Sequence, residues 1–139
     1  EKYVVAGWSE NALLSAHVSE DDFYAAGHVA VEMGRTSRVT FAETHLKERG
    51  RERRIEIYAA SFSLVPELLI GTTRLAIMHE RLAKMMQRRM PIAFQPMPFS
   101  FPVMKEMVQY HYARTDDPGV RWLVEQISAC AGKSNSQFE

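Results

Sequence analysis

Residues 53–77 read RRIEIYAASFSLVPELLIGTTRLAI, and the order of elements in this stretch decides the fold. Arg54, Ile55, Glu56, Ile57 and Tyr58 alternate charge with bulk, the pattern of a strand. Ser61-Phe62-Ser63 stops it. Ser63 is placed to cap a helix, and Pro66 falls in its first turn, where a missing N–H costs little. Gly71 can end that helix in a left-handed turn. Arg74 through Met78 is apolar enough for a second, more buried strand. In such strand–helix–strand units, ligands collect at the carboxyl ends of the strands beside helix N-termini. Ser61, Phe62 and Ser63 are therefore the first candidates for a small-molecule site.

Outward from this unit the alternation continues. Tyr3–Trp8 is a β-type apolar run, and residues 9–16 read as loop. Ser19, followed by Glu20, Asp21 and Asp22, starts a helix of about two turns, closed by Gly27. Residues 28–33 form a strand and 34–38 a loop. Thr40 and Glu43 make a capping-box pair for a helix ended by Gly50. Residues 79–90 are helical, with Leu82, Met85, Met86 and Met90 on one core-facing stripe. A short strand covers 91–95, prolines 96, 98 and 102 mark loop or edge, and residues 103–111 read as a returning strand. Asp117 caps a last helix with Pro118 at its first position. Trp122, Leu123, Gln126 and Ile127 are its inner face, and residues 132–139 are a polar, frayed tail. Strand and helix alternating along the whole chain predict an α/β domain with a largely parallel sheet flanked by helices.

A chain of 139 residues is long enough for one domain with a real core. Its 17 basic and 17 acidic residues cancel. A free-standing nucleic-acid module carries a basic excess, so these residues are not expected to hold DNA or RNA by themselves. The local run Lys47, Arg49, Arg51, Arg53, Arg54 is interleaved with Glu48, Glu52 and Glu56 and reads as a solvated helix end. Cys130 is the single cysteine; it reads as a buried structural thiol in a reducing, cytoplasmic setting. No apolar run is of membrane-spanning length. The chain begins at Glu1 and runs straight into a strand, which reads as a fragment of a longer protein.

Known catalytic and cofactor signatures are absent from the sequence. There is no glycine-rich phosphate fingerprint and no nucleophile elbow. The histidines are scattered without metal-ligand spacing, so neither metal nor cofactor is expected. His28 begins a strand, where it can be a satisfied structural histidine or a pocket side chain. The acidic pairs Asp21-Asp22 and Asp116-Asp117 sit at helix starts, where capping accounts for them. A small α/β enzyme using Ser61 or His28 lacks any supporting context.

Three segments in order resemble one family. They are Phe23-Tyr24-Ala25-Ala26-Gly27-His28-Val29-Ala30-Val31, then Arg53-Arg54-Ile55-Glu56 with Ser61-Phe62-Ser63-Leu64-Val65-Pro66 and residues 68–76. The third comprises Pro91, Pro96, Pro98, Gln109-Tyr110-His111 and residues 116–123. Each is loose, but their order and spacing resemble the C-terminal part of LysR-type transcriptional regulators, nearest the nodulation-protein-D and aromatic-degradation branch. The resemblance implies a type II periplasmic-binding-protein-like effector domain: two α/β subdomains joined by crossing strands, with the inducer in the cleft. DNA is contacted in that family by an N-terminal winged helix-turn-helix, which has no counterpart here.

By position, the resemblance implies a first crossing strand at 1–8 and the second subdomain at 9–99. The return crossing strand and last helix of an incomplete first subdomain would occupy 100–131, with a tail at 132–139. It puts His28 among pocket side chains, Ser61 and Phe62 at the turn facing the effector, and Gln109 and Tyr110 near the hinge. The expected ligand is small and aromatic, the regulator non-enzymatic and homo-oligomeric, and no membrane is involved. Residues 103–131 are expected to be partly uncovered. The alternative is a solute-binding domain of a transport system with the same fold.

Overall fold

The structure, a computed structural model, describes residues 1–33 and 40–136. The loop read at 34–38 and the last three residues lie outside them. The chain forms two compact units, Glu1–Met104 and Lys105–Glu139.

The first unit carries a five-stranded sheet of order β3-β2-β4-β1-β5. Its strands are β1 (Tyr3–Trp8), β2 (Gly27–Val31), β3 (Arg54–Ala59), β4 (Leu75–His79) and β5 (Ile92–Pro96). β2 runs parallel to both β3 and β4, while β1 lies antiparallel between β4 and β5. Four strands thus point one way and β1 alone runs against them, which bears out the largely parallel α/β reading. The unit built from residues 53–77 is a crossover that skips a place, because β2 sits between its two strands. β3 is consequently an edge strand, and its side chains alternate between the two faces, with Arg54, Glu56 and Tyr58 exposed on one and Ile57 and Ala59 packed on the other.

Alternation along β1 and β4 divides the core between the two faces of the sheet. Tyr3, Val5, Leu75 and Ile77 pack with α1 (Ala12–Ser15), α2 (Glu20–Ala25) and α3 (Phe41–Glu48) through Leu14, Phe23, Tyr24 and Leu46. Val4, Ala6, Ala76 and Met78 pack on the other face with α4 (Val65–Leu69) and α5 (Glu80–Gln87), through Val65, Leu69 and Ala83.

Local chemistry explains most helix ends. Ser19 and Asp22 form a complete capping box on α2. Thr40 accepts from the Glu43 N–H, but the Glu43 carboxylate turns to Arg53 instead of closing the box. Gly50 and Gly71 follow α3 and α4 at φ +69° and +72°, where a Cβ would be strained.

Several expectations are corrected. Residues 12–15 are a short helix, capped by the Asn11 side chain, where loop was read. Gly27 does not close α2; it is the first residue of β2, and a Cβ there would run into the Glu56 carboxylate. Ser63 is no helix cap, because a 3-10 turn (Phe62–Leu64) precedes α4. The methionine stripe is not core: Met85 is 41% exposed and Ala83 is the buried residue of α5. Leu82 packs partly buried against the same core as Ala83, so part of the stripe faces inward as expected while Met85 turns outward. The basic run is a solvated helix end and turn at Lys47, Arg49, Arg51 and Arg54, while Arg53 is carried inward. Arg49 pairs with Glu20 at 2.8 Å with its guanidinium over Phe99, and Arg51 reaches Asp21 at 3.1 Å over the Tyr24 ring.

In the second unit a 3-10 turn (Tyr112–Arg114) leads to α6 (Pro118–Ser136). Asp117 caps α6 as read, accepting from Gly119 and Val120 N–H groups at 2.8 and 3.2 Å. Residues 103–111 form no strand, a second correction of substance. Within the first unit, the Met104 N–H donates to the Glu1 carbonyl at 2.9 Å. Trp122, Leu123 and Ile127 are exposed, and so is Cys130. A single helix has no second layer within its own unit to bury its apolar stripe.

Candidate functional site

At one end of the sheet the carboxyl ends of β2, β3, β4 and β5 meet the start of β1. The Ser61-Phe62-Ser63 turn lies here, two residues past β3. The two serine hydroxyls are 3.0 Å apart and share a hydrogen bond. Ser61 and Phe62 are half-buried and Ser63 is exposed, so hydroxyls and ring edge are accessible together. Phe62 meets His79, the last residue of β4, edge-on at 4.6 Å between centroids. His79 in turn lies 5.0 Å from Tyr3. These two are cross-strand partners in register, which is what brings their rings together. Tyr3 also stacks on Phe41 at 6.0 Å and meets Phe101 edge-on at 5.3 Å. An accessible pair of hydroxyls thus borders a row of aromatic rings, the surroundings that suit a planar molecule carrying polar substituents.

The same end holds the chain where it enters and leaves the sheet. The Glu1 amino group donates to the Met104 carbonyl at 2.7 Å, and the Met104 N–H returns a bond to the Glu1 carbonyl at 2.9 Å. The Tyr3 hydroxyl donates to the Met104 sulfur at 3.3 Å. The Glu1 carboxylate accepts the Arg81 N–H at the start of α5.

His28 stands elsewhere. It opposes Ile55 in the register, and Val31 opposes Ala59. Three residues of β2, about 10 Å, separate it from the carboxyl end. Its neighbours Val29 and Val31 face α4, so its ring points to the other face, among Phe23 and Arg53. It is 0% exposed. The Phe23 carbonyl at 2.7 Å can only accept, so Nε2 carries the proton. Nδ1 is then bare and accepts from the Arg53 guanidinium at 3.4 Å. Burial pushes the His28 pKa down to about 4; Arg53 pushes the same way, and the bond to Phe23 opposes both. The second arm of Arg53, 3% exposed, pairs with Glu43.

The structure therefore brings Ser61, Phe62 and Ser63 together and leaves His28 at the opposite end of the strands. Gln109 and Tyr110 belong to the second unit and are exposed. Sequence reasoning missed Tyr3 and His79, whose partnership depends on pairing register, and Arg53, hidden in what looked like a surface charge run. Among the described residues no group of three or more His, Cys, Asp or Glu side chains could hold a metal ion, and no helix is long and apolar enough to cross a membrane.

No family model matches the chain. The fold is that of the regulatory domain of a transcriptional regulator. It aligns with the regulatory domain of MexT, a transcriptional activator in Pseudomonas aeruginosa, at a TM-score of 0.69 and 20% identity, covering 92% of this chain and 60% of that one. A putative transcriptional regulator from Vibrio parahaemolyticus aligns at a TM-score of 0.71 and 16% identity, covering 88% and 57%. Sequence relatives narrow the class. Nodulation protein D 2 of Rhizobium tropici is 35% identical over 127 residues, 91% of this chain and 40% of the relative. Nodulation protein D 1 of Bradyrhizobium sp. strain NC92 is 33% identical over 139 residues, 100% of the chain and 44% of the relative. Nodulation protein D homologues, LysR-type regulators, thus match most of this chain, and its fold is that of regulatory domains of transcriptional regulators. The chain spans about two fifths of the length of these curated relatives.

Proposed function

We propose that these residues sense a small aromatic effector for a LysR-type transcriptional regulator acting in the cytoplasm as a homo-oligomer, without catalysis. DNA is contacted through parts of the regulator other than these residues. The observation that carries this reading is the relationship to nodulation protein D, which extends over nearly the whole chain. Relatedness to regulators also favours sensing over solute transport. The effector contacts are Ser61, Phe62 and Ser63. Ser61 and Ser63 supply hydroxyls that can turn from each other to a phenol or carboxylate, and Phe62 supplies an apolar edge. His28 serves the fold and not the ligand, since both ring nitrogens are engaged and its face is closed. The effector acts by shifting a population between regulator conformations that it binds unequally.

A thermal-shift screen of simple aromatic carboxylates and phenols tests this. A ligand at a hundred times its Kd adds about 2.7 kcal/mol, a rise of several degrees. The double substitution Ser61→Ala/Ser63→Ala abolishes the rise. A screen in which no compound shifts the transition, or a rise that survives the double substitution, overturns the reading.

A further inference from the structure

A sheet separates its two faces, and side chains on one do not touch those on the other except at its ends. Tyr3 belongs to the face covered by α1, α2 and α3, and Phe62 packs against the core on the α4 and α5 face. His79 touches both, at 5.0 and 4.6 Å, because it is the last residue of β4 and its ring reaches around the sheet's end. Beyond it the backbone stays paired: Glu80 N–H donates to the Lys2 carbonyl at 2.9 Å and Arg81 N–H to the Glu1 carboxylate at 3.1 Å. Residues 79, 80 and 81 thus lie along residues 3, 2 and 1. Glu1 holds Met104, the last residue of the first unit.

We propose that His79 is a positioning residue through which the state of the Ser61-Phe62-Ser63 turn is felt at the Glu1–Met104 pair. The proposal rests on the reading above that the turn takes the effector. A ligand that moves the Phe62 ring presses or releases His79. His79 moves Tyr3 and the backbone it is paired to, and the Met104 end tightens or loosens. The route is short and continuous: Phe62 to His79 to Tyr3, then the Tyr3 hydroxyl to the Met104 sulfur. Spatial continuity alone does not establish coupling, so the test must measure it.

The experiment is amide hydrogen exchange on the 139-residue chain without ligand. It reads the Met104 N–H at the near end of β1 and the Ser9 N–H, bonded to Pro91 at 2.9 Å, at the far end. Phe62→Leu removes the ring that meets His79 edge-on. It is expected to speed Met104 exchange about fivefold, what the loss of one aromatic pair amounts to, with Ser9 unchanged. His79→Leu does the same, the two together do no more than either, and His79→Phe restores protection. Equal acceleration of Ser9 and Met104 would mean general loosening and overturn the proposal. So would an unchanged Met104 in Phe62→Leu, additive effects of the two changes, or failure of His79→Phe to restore protection. No ligand is used, so a failed ligand screen removes the effector reading and leaves this result standing.

Discussion

Acid should weaken this domain through His28 before its carboxylates begin to titrate. The imidazole titrates near 6.5 when free and at about 4 in the fold. Between those values the unfolded chain holds more protons than the folded one, so stability rises with pH across the window. It is complete above 6.5, falls as pH drops, and levels off below 4. At about 1.4 kcal/mol per pH unit, the loss from pH 7.5 to pH 4 is about 3 kcal/mol. The dominant cause is burial, with the Arg53 charge second. His28→Gln separates this from all else that titrates: the amide can still donate to the Phe23 carbonyl but carries no ionisable ring. Urea denaturation followed by circular dichroism at the two pH values gives four stabilities. Wild type is expected to lose about 3 kcal/mol more than His28→Gln over the interval. Asp22 and Asp117, both held below the usual carboxylate range by hydrogen bonds, titrate alike in the two proteins and cancel. Equal losses in wild type and variant would show that the ring opens to water or keeps its charge in the fold, and would refute the account of the buried network.

Two further outcomes follow from named contacts. Arg53→Met keeps the apolar stem but strips Glu43 and His28 of their shared partner. Since Glu43 is partly exposed, the cost sits below that of a fully buried pair, about 2 kcal/mol in urea denaturation, and a loss under about 0.5 kcal/mol would contradict the geometry. The apolar face of α6, with Trp122 61% exposed, should drive concentration-dependent association in light scattering, abolished by Trp122→Glu/Leu123→Glu; a monomer at every concentration would count against it.

Local chemistry made much of the fold readable. The 53–77 unit was legible because strand alternation, Pro66 and Gly71 act within a few residues of one another, and Ser19 and Asp117 cap as their sequence positions suggest. Elements whose form depends on distant partners were not. The stretch 103–111 has strand-like residues, yet a strand forms only against a partner, and its own unit supplies none among the described residues. Met85 fits a helical stripe, but the rotation of α5 is set by how closely Ala83 seats on the sheet. Arg53 looks solvated in a run of charges, and only the α3–β3 geometry carries it inward to His28. The serine turn was found because a strand end announces itself. His79 was missed because its importance comes from standing opposite Tyr3.

The position of β1 has a consequence for the order in which the chain acquires its structure. Synthesised ahead of the other four strands of this sheet, β1 ends between β4 and β5, so Val5 waits for Ile77 on one side and Gln95 on the other. Pairs so far apart in sequence form slowly, because the intervening loop must close before any bond is gained. Until β4 has left the ribosome the run Tyr-Val-Val-Ala has neither neighbour, and until residue 96 has followed one of its edges stays open. This sheet is most exposed to wrong partners through β1, and β5, short and ended by Pro96, is the piece whose arrival closes the risk.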